Sequence, residues 1–199
     1  MPGSGPDAPP ADAPITPTDD PAPDAPATVR FAYPADVAEC VDPAAPDPMV
    51  CRSENMGASA NLFQMVVDLQ DTATAHPWVA YVRFPVDNQI AGRTITAIAL
   101  RVTATDDPAA ASNSTGEVFA VAPFSLAELT GIAPAKTGAR LAPSQGAVAL
   151  LDVIEFPLPT DSVRAGESAH FGIFPVSTQG VDFWNSSGPN PPVLIIDVE

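Results

Sequence analysis

The sequence predicts an all-β fold, an antiparallel two-sheet sandwich of jelly-roll type with one short helix near residues 124–129. Three observations carry that expectation. Short runs of β-branched and aromatic residues follow one another from Thr28 to Val198, with almost no helical periodicity between them. Inside these runs apolar side chains recur at period two: Trp78, Ala80, Val82, Phe84 and Val86 share one face, and Ile98, Leu100 and Val102 share another. The separators carry turn chemistry, namely Asp87-Asn88, Ala91-Gly92, Asp106-Asp107-Pro108, Ala165-Gly166 and Ser187-Gly188-Pro189.

The elements follow in order. Residues 1–27 are almost wholly Pro, Ala, Asp, Gly, Ser and Thr with a single aliphatic residue, Ile15. Such a stretch cannot bury enough apolar surface to offset its ordering entropy, so it is expected to be a disordered tether, with residues 28–199 forming one β-sandwich domain. Thr28 to Tyr33 is the first strand expected. Cys40 and Cys51 then bracket a Pro/Asp-rich segment, Val41 to Val50, that has no periodicity of its own. A disulfide between them is expected to close that loop and stabilise the fold by about 2–3 kcal/mol. Two separate buried thiols or a pair of metal ligands are the alternatives, the second weakened because only His76 and His170 could complete a site.

Asn61 to Leu69, Trp78 to Val86, Thr94 to Thr105 and Gly116 to Ala122 are the next strands expected. The short helix follows, because Ser125 and Glu128 have the spacing in which each side chain satisfies an orphan backbone donor at a helix start. Ala147 to Phe156, Glu167 to Val176, Gly180 to Trp184 and Val193 to Val198 complete the set.

Charge narrows the function classes. Twenty-four acidic residues against eight basic ones give a formal charge of −16, a field that repels phosphate backbones and anionic lipid. Nucleic acid is therefore not an expected partner. No run of about 18 apolar residues exists, so no transmembrane segment is expected. The N-terminus lacks the charged and apolar regions of a signal peptide, so an exported protein would start here after a processed segment. Gly3 to Asp7 resembles the stretch that follows the lipidated cysteine of bacterial lipoproteins. With the expected disulfide, this points to an extracytoplasmic, secreted or surface-anchored protein.

Taken as an ordered set, the segments resemble the DNRLRE-domain family of secreted, carbohydrate-binding-module-like β-sandwiches. The matching pieces are Ala27-Thr28-Val29, Asn55-Met56-Gly57 with Asn61-Leu62-Phe63, Tyr81-Val82-Arg83-Phe84 and Ile90 to Ile95. Leu150 to Val153, His170 to Ile173, Val181-Asp182-Phe183 and Pro191 to Leu194 continue the order. The chain departs from the family at Asn185 to Gly188, where relatives carry a Ser-basic-Glu element, and in the insertion that holds the two cysteines. The resemblance implies a polysaccharide or cell-surface component as partner.

Catalysis finds little footing. The sequence has no Gly-x-Ser-x-Gly elbow, and His170 alternates with Phe171 in a strand, which reads as a histidine on a solvent-facing sheet surface. No catalytic residue is assigned. Sugar binding needs an aromatic face ringed by planar polar groups, and the candidates are Trp184, Tyr81, Arg83, Arg101 and Asn185. Trp184 and Tyr81 serve if they project outward; otherwise they are packing residues with a polar tip. An acidic glycan would require a bridging cation or a basic patch, such as Arg83 with Arg101 on neighbouring strands. Calcium could supply the cation through Asp106, Asp107, Asn113 and Glu117; no other cofactor is expected. The expectation is a non-catalytic polysaccharide-binding or adhesive module. The alternative is a structural subunit of a surface layer or fibre that self-associates through sheet edges or the N-terminal tail.

Overall fold

A computed structural model describes residues 27–54, 63–70 and 77–199. Residues 1–26 of the tether expected at 1–27 lie outside them, as do His76, Asn61-Leu62 and Asn55-Met56-Gly57. The described chain is nearly all β. One sheet has the order β1 (Val29–Pro34), β11 (Val193–Val198), β5 (Ile95–Thr103), β8 (Val153–Leu158). The other runs β2 (Val37–Val41), β4 (Val79–Pro85), β9 (Ser168–Phe174), β6 (Glu117–Val121), β7 (Lys136–Ala142). A ribbon of β3 (Gln64–Val67) and β10 (Val181–Trp184) stands apart from both. All pairings are antiparallel.

The core lies between the two sheets, and the period-two faces supply it. Ile98, Leu100 and Val102 of β5 with Phe156, Leu194 and Ile196 face Ala80, Val82 and Phe84 of β4 with Phe171 and Ile173 of β9. Each large side chain so buried contributes roughly 1.5–3 kcal/mol. The ribbon closes one side of the sandwich. A bridge from Ala104 to Phe183 ties it to the end of β5, and the reciprocal Asp68–Trp78 bonds of 3.1 and 2.7 Å tie it to the start of β4.

The short helix is present, but as α1 (Pro48–Glu54) rather than at 124–129. The Ser125/Glu128 capping contacts do form: the Ser125 amide donates to Glu128 Oε2 at 2.7 Å and the Glu128 amide to Ser125 Oγ at 3.4 Å. They cap only a run of turns, since Gly131 follows with φ +115°. Cys40 of β2 and Cys51 of α1 form a disulfide, both half-cystines buried, and this pins the helix to the sheet.

Strands β2 and β7 have no counterpart in the sequence expectation. Val37–Val41 carries Ala38, Glu39 and Cys40, and Lys136–Ala142 carries Lys136, Gly138 and Arg140, so neither presents a run of β-formers. Residues 147–152, expected to open β8, instead form a turn with Leu151 at φ +63° and a single bridge from Val148 to Ser112.

Gly116 immediately precedes β6 at φ +78°, where a Cβ would meet the Phe174 carbonyl oxygen and Val67 Cγ1, each at 2.9 Å. Two outcomes follow. Gly116→Ala should lower unfolding stability by at least about 1 kcal/mol in guanidinium titration, because left-handed backbone and close contact act together. Replacing both cysteines by alanine should lower it by about 2–3 kcal/mol, and a double variant as stable as the parent would contradict the role given to the bridge.

Candidate functional site

Strand β9 is the middle of the five-stranded sheet, and its two neighbours cover it unequally. Pairing with β4 runs down to Pro85↔Ser168, whereas pairing with β6 stops at Ala120↔Phe171. The cause is local. Pro123 lacks the N–H that a ladder needs, and the chain turns away just past β6. Residues 168–170 are left with a sheet neighbour on one side only.

A cleft of about 200 Å³ occupies that gap, lined by Pro123, Asp161, Ser162, Arg164, Glu167 and His170 among others. Its far wall, the loop before β9, is held in place. Val163 is buried in the core, and the Gly166 amide donates to the Asp87 carbonyl at 3.1 Å. Gly166, at φ +76°, also lies so close to Asn88 that a Cβ would come within 2.5 Å of Asn88 Oδ1. Asp87 is itself fixed, accepting from Tyr33 Oη at 2.9 Å and from the Gln89 amide at 2.9 Å. The amide bond, with the Gln89 and Tyr33 side chains, holds its carboxyl below the usual range.

Polar groups in the cleft have unspent capacity. Ser162 Oγ is buried and has no hydrogen-bond partner. His170 stacks edge-on against Phe124 at 5.1 Å between centroids, and its Nδ1 accepts from the Phe124 amide at 3.3 Å. A neutral imidazole accepting at Nδ1 carries its proton on Nε2. Burial, reinforced by the nearby Arg83 guanidinium and opposed by Asp36, lowers the His170 pKa below 6.5.

The aromatic candidates are not on the surface. Tyr81 lies on the outer face of the sheet but is 1% exposed, covered by Phe124, Phe174, Val121 and Leu129. Phe124 and Phe174 pack edge-on against it at 5.9 and 6.1 Å, and burial pushes its phenol up to about 12. Trp184 is 6% exposed, with Nε1 buried and unpartnered. Asn185 is buried in a loop, where its Oδ1 accepts from the Ser187 amide at 2.9 Å. The segment 122–133, which includes the helix expected at 124–129, is the cover that removes Tyr81 from solvent.

Arg83 and Arg101 are not on neighbouring strands: β4 and β5 belong to opposite sheets. Arg83 makes a bidentate pair with Asp36, both bonds 2.8 Å, and Arg101 pairs with Glu155 at 2.6 and 2.9 Å. They form no basic patch. Of the expected calcium ligands Asp106, Asp107, Asn113 and Glu117, the last three are likewise engaged separately. Asp107 caps a 3₁₀ turn at Pro108–Ala110, Asn113 Oδ1 accepts from Ser177 Oγ, and Glu117 pairs with Arg140. Among the described residues, no three Asp, Glu, His or Cys side chains gather as a metal-holding group.

Ser162, Arg164 and Glu167 were not candidates on sequence. The Ala165-Gly166 turn signal and Pro123 were visible in it, but the unequal pairing that opens the cleft is a tertiary fact. Comparison with protein-family models and with curated proteins gives no match for this chain.

The histidine makes a pH prediction. Its folded-state pKa lies below the unfolded value of 6.5, so the unfolded chain binds the extra proton first and stability falls as pH drops through 6.5. Guanidinium midpoints should therefore be lower at pH 5.5 than at pH 7.5, and His170→Gln should shrink that difference. An equal drop in parent and variant would assign the effect to other groups.

Proposed function

We propose that the protein is a non-catalytic, extracytoplasmic β-sandwich that binds polysaccharide, or a cell-surface component bearing it, in the cleft beside β9. The observation that carries this is the lining itself. Arg164 and the His170 Nε2–H donate and the Asp161 and Glu167 carboxylates accept, around a hollow held open by a fixed loop. Sugar hydroxyls need such mixed partners. The DNRLRE-like order of segments agrees with this role, and the Cys40–Cys51 disulfide is compatible with an oxidising, extracellular location. No described helix is long and apolar enough to cross a membrane.

His170 spends Nδ1 on the Phe124 amide and no hydrogen bond joins it to Ser162, so the cleft assembles no nucleophile–base relay. Action of the Asp161 and Glu167 carboxylates on a glycosidic bond is read by sugar release. One observation favours the structural-subunit alternative. Strand β7 is an edge strand with Lys136 to Arg140 exposed and no proline, whereas the edge strands β1 and β8 carry Pro34 and Pro157.

Affinity-gel electrophoresis of the full chain in polysaccharide gels, with calcium and with chelator, separates these readings. Saturable retardation that is the same in both conditions is expected, with no sugar released. Concentration-dependent assembly without retardation would favour the structural subunit, and product release would make the protein an enzyme.

A further inference from the structure

We infer that the cleft beside β9 selects a neutral, hydroxyl-rich sugar unit over a uronate-bearing one. The inference rests on the polysaccharide-binding reading above and sharpens it to a substrate class.

Charge placement is the first support. Among the basic residues whose side chains are described, those outside the cleft are engaged within the protein. Arg30, Arg83, Arg101 and Arg140 pair with Asp197, Asp36, Glu155 and Glu117. Arg93 lies over the Phe31 ring, and the Lys136 ammonium sits 3.6 and 3.9 Å from the Phe119 and Phe174 ring centres. Arg164 is left, with no ion pair to any described residue, and it faces the cleft in the company of Asp161 and Glu167. One guanidinium against two carboxylates, in a chain of charge −16, makes a site whose local and global fields both repel an anion.

Hydrogen-bond capacity is the second. Ionised Asp161 and Glu167 only accept, so ligand atoms opposite them must donate. A uronate carboxylate would oppose acceptor to acceptor. A pair of adjacent sugar hydroxyls resolves the lining instead: each gives its proton to a carboxylate and accepts from Arg164 or from the His170 Nε2–H. At about 200 Å³ the cleft is smaller than the roughly 300–1,000 Å³ of sites for drug-sized ligands, which suits one sugar unit of a chain rather than a longer stretch.

The test uses affinity gels cast with neutral polymers (a β-glucan, an α-glucan, a galactomannan) and, separately, with polygalacturonate and alginate. The full chain is run beside Arg164→Ala and Glu167→Gln, each checked for an unchanged thermal melt. Expected are retardation by at least one neutral polymer and none by the uronates, with calcium making no difference. Each variant should lose about tenfold or more in affinity, the scale of one hydrogen bond to a charged group. Retardation by uronates alone would overturn the inference and leave polysaccharide binding standing. Neutral-polymer retention unchanged in both variants would remove the cleft from recognition. Retardation by no polymer would overturn both.

Discussion

Strand β9 holds the structure together. It is the central strand of the five-stranded sheet, it sends Phe171 and Ile173 into the core between the sheets, and it carries Gly172 and His170 on the opposite face. Gly172 has no side chain because the Phe174 ring fills the space; a Cβ there would come within 2.6 Å of Phe174 Cε2. That ring then packs edge-on against Tyr81 and Phe119. Because only one pair of consecutive strands, β6 and β7, pair with each other in the described chain, the sheets cannot form independently. β1 must meet β11 and β2 must meet β4 before either sheet is complete.

The same arrangement explains why the opening beside β9 is lined by polar groups and not by aromatic faces. A second apolar cluster on the outer face of this sheet consumes Tyr81, Phe124 and Phe174, and the 122–133 segment lies across it. A hydrogen bond of 2.8 Å from the Gly131 amide to the Pro46 carbonyl ties that cover to the loop closed by the disulfide. With these aromatic faces sealed, the place where β6 leaves β9 early stays open as a polar cleft, beside an apolar groove of about 450 Å³ along Pro48, Met49, Leu126, Ala127 and Thr130 and a hollow of about 210 Å³ over β5, β8 and β11. The cleft is a by-product of sheet geometry furnished with side chains from a loop that Val163 and Gly166 anchor.

Much of the fold was legible in the sequence because burial imposes period two. Ala80, Val82 and Phe84, with Ile98, Leu100 and Val102, fall on the core face that their spacing indicates. The cysteine pair was legible because an aperiodic Pro/Asp-rich loop between two cysteines needs closing. Strand β7 was not, since an exposed edge needs no large apolar residues and Lys136 to Arg140 has none beyond Ala139. The helix was misplaced because the Ser125/Glu128 cap is a local signal, satisfied here by turns, whereas the chain at Pro48 to Glu54 turns helical where Cys51 bonds to Cys40. Site residues were the least legible. Tyr81 does project to the outer face, but period two cannot tell whether another segment covers it, and Arg83 and Arg101 met carboxylates remote in sequence.

In an acidic protein, the proposed recognition rests on an arginine with no ion pair among the described residues, set beside two carboxylates. Amide chemical-shift mapping during titration with a neutral oligosaccharide tests whether recognition happens there. Shifts centred on Ser162 to His170 and on the amides flanking Pro123 are predicted, with the β7 edge and the Trp184 ribbon unmoved. Shifts centred on Trp184 or along Lys136 to Arg140 would contradict the cleft as the binding site.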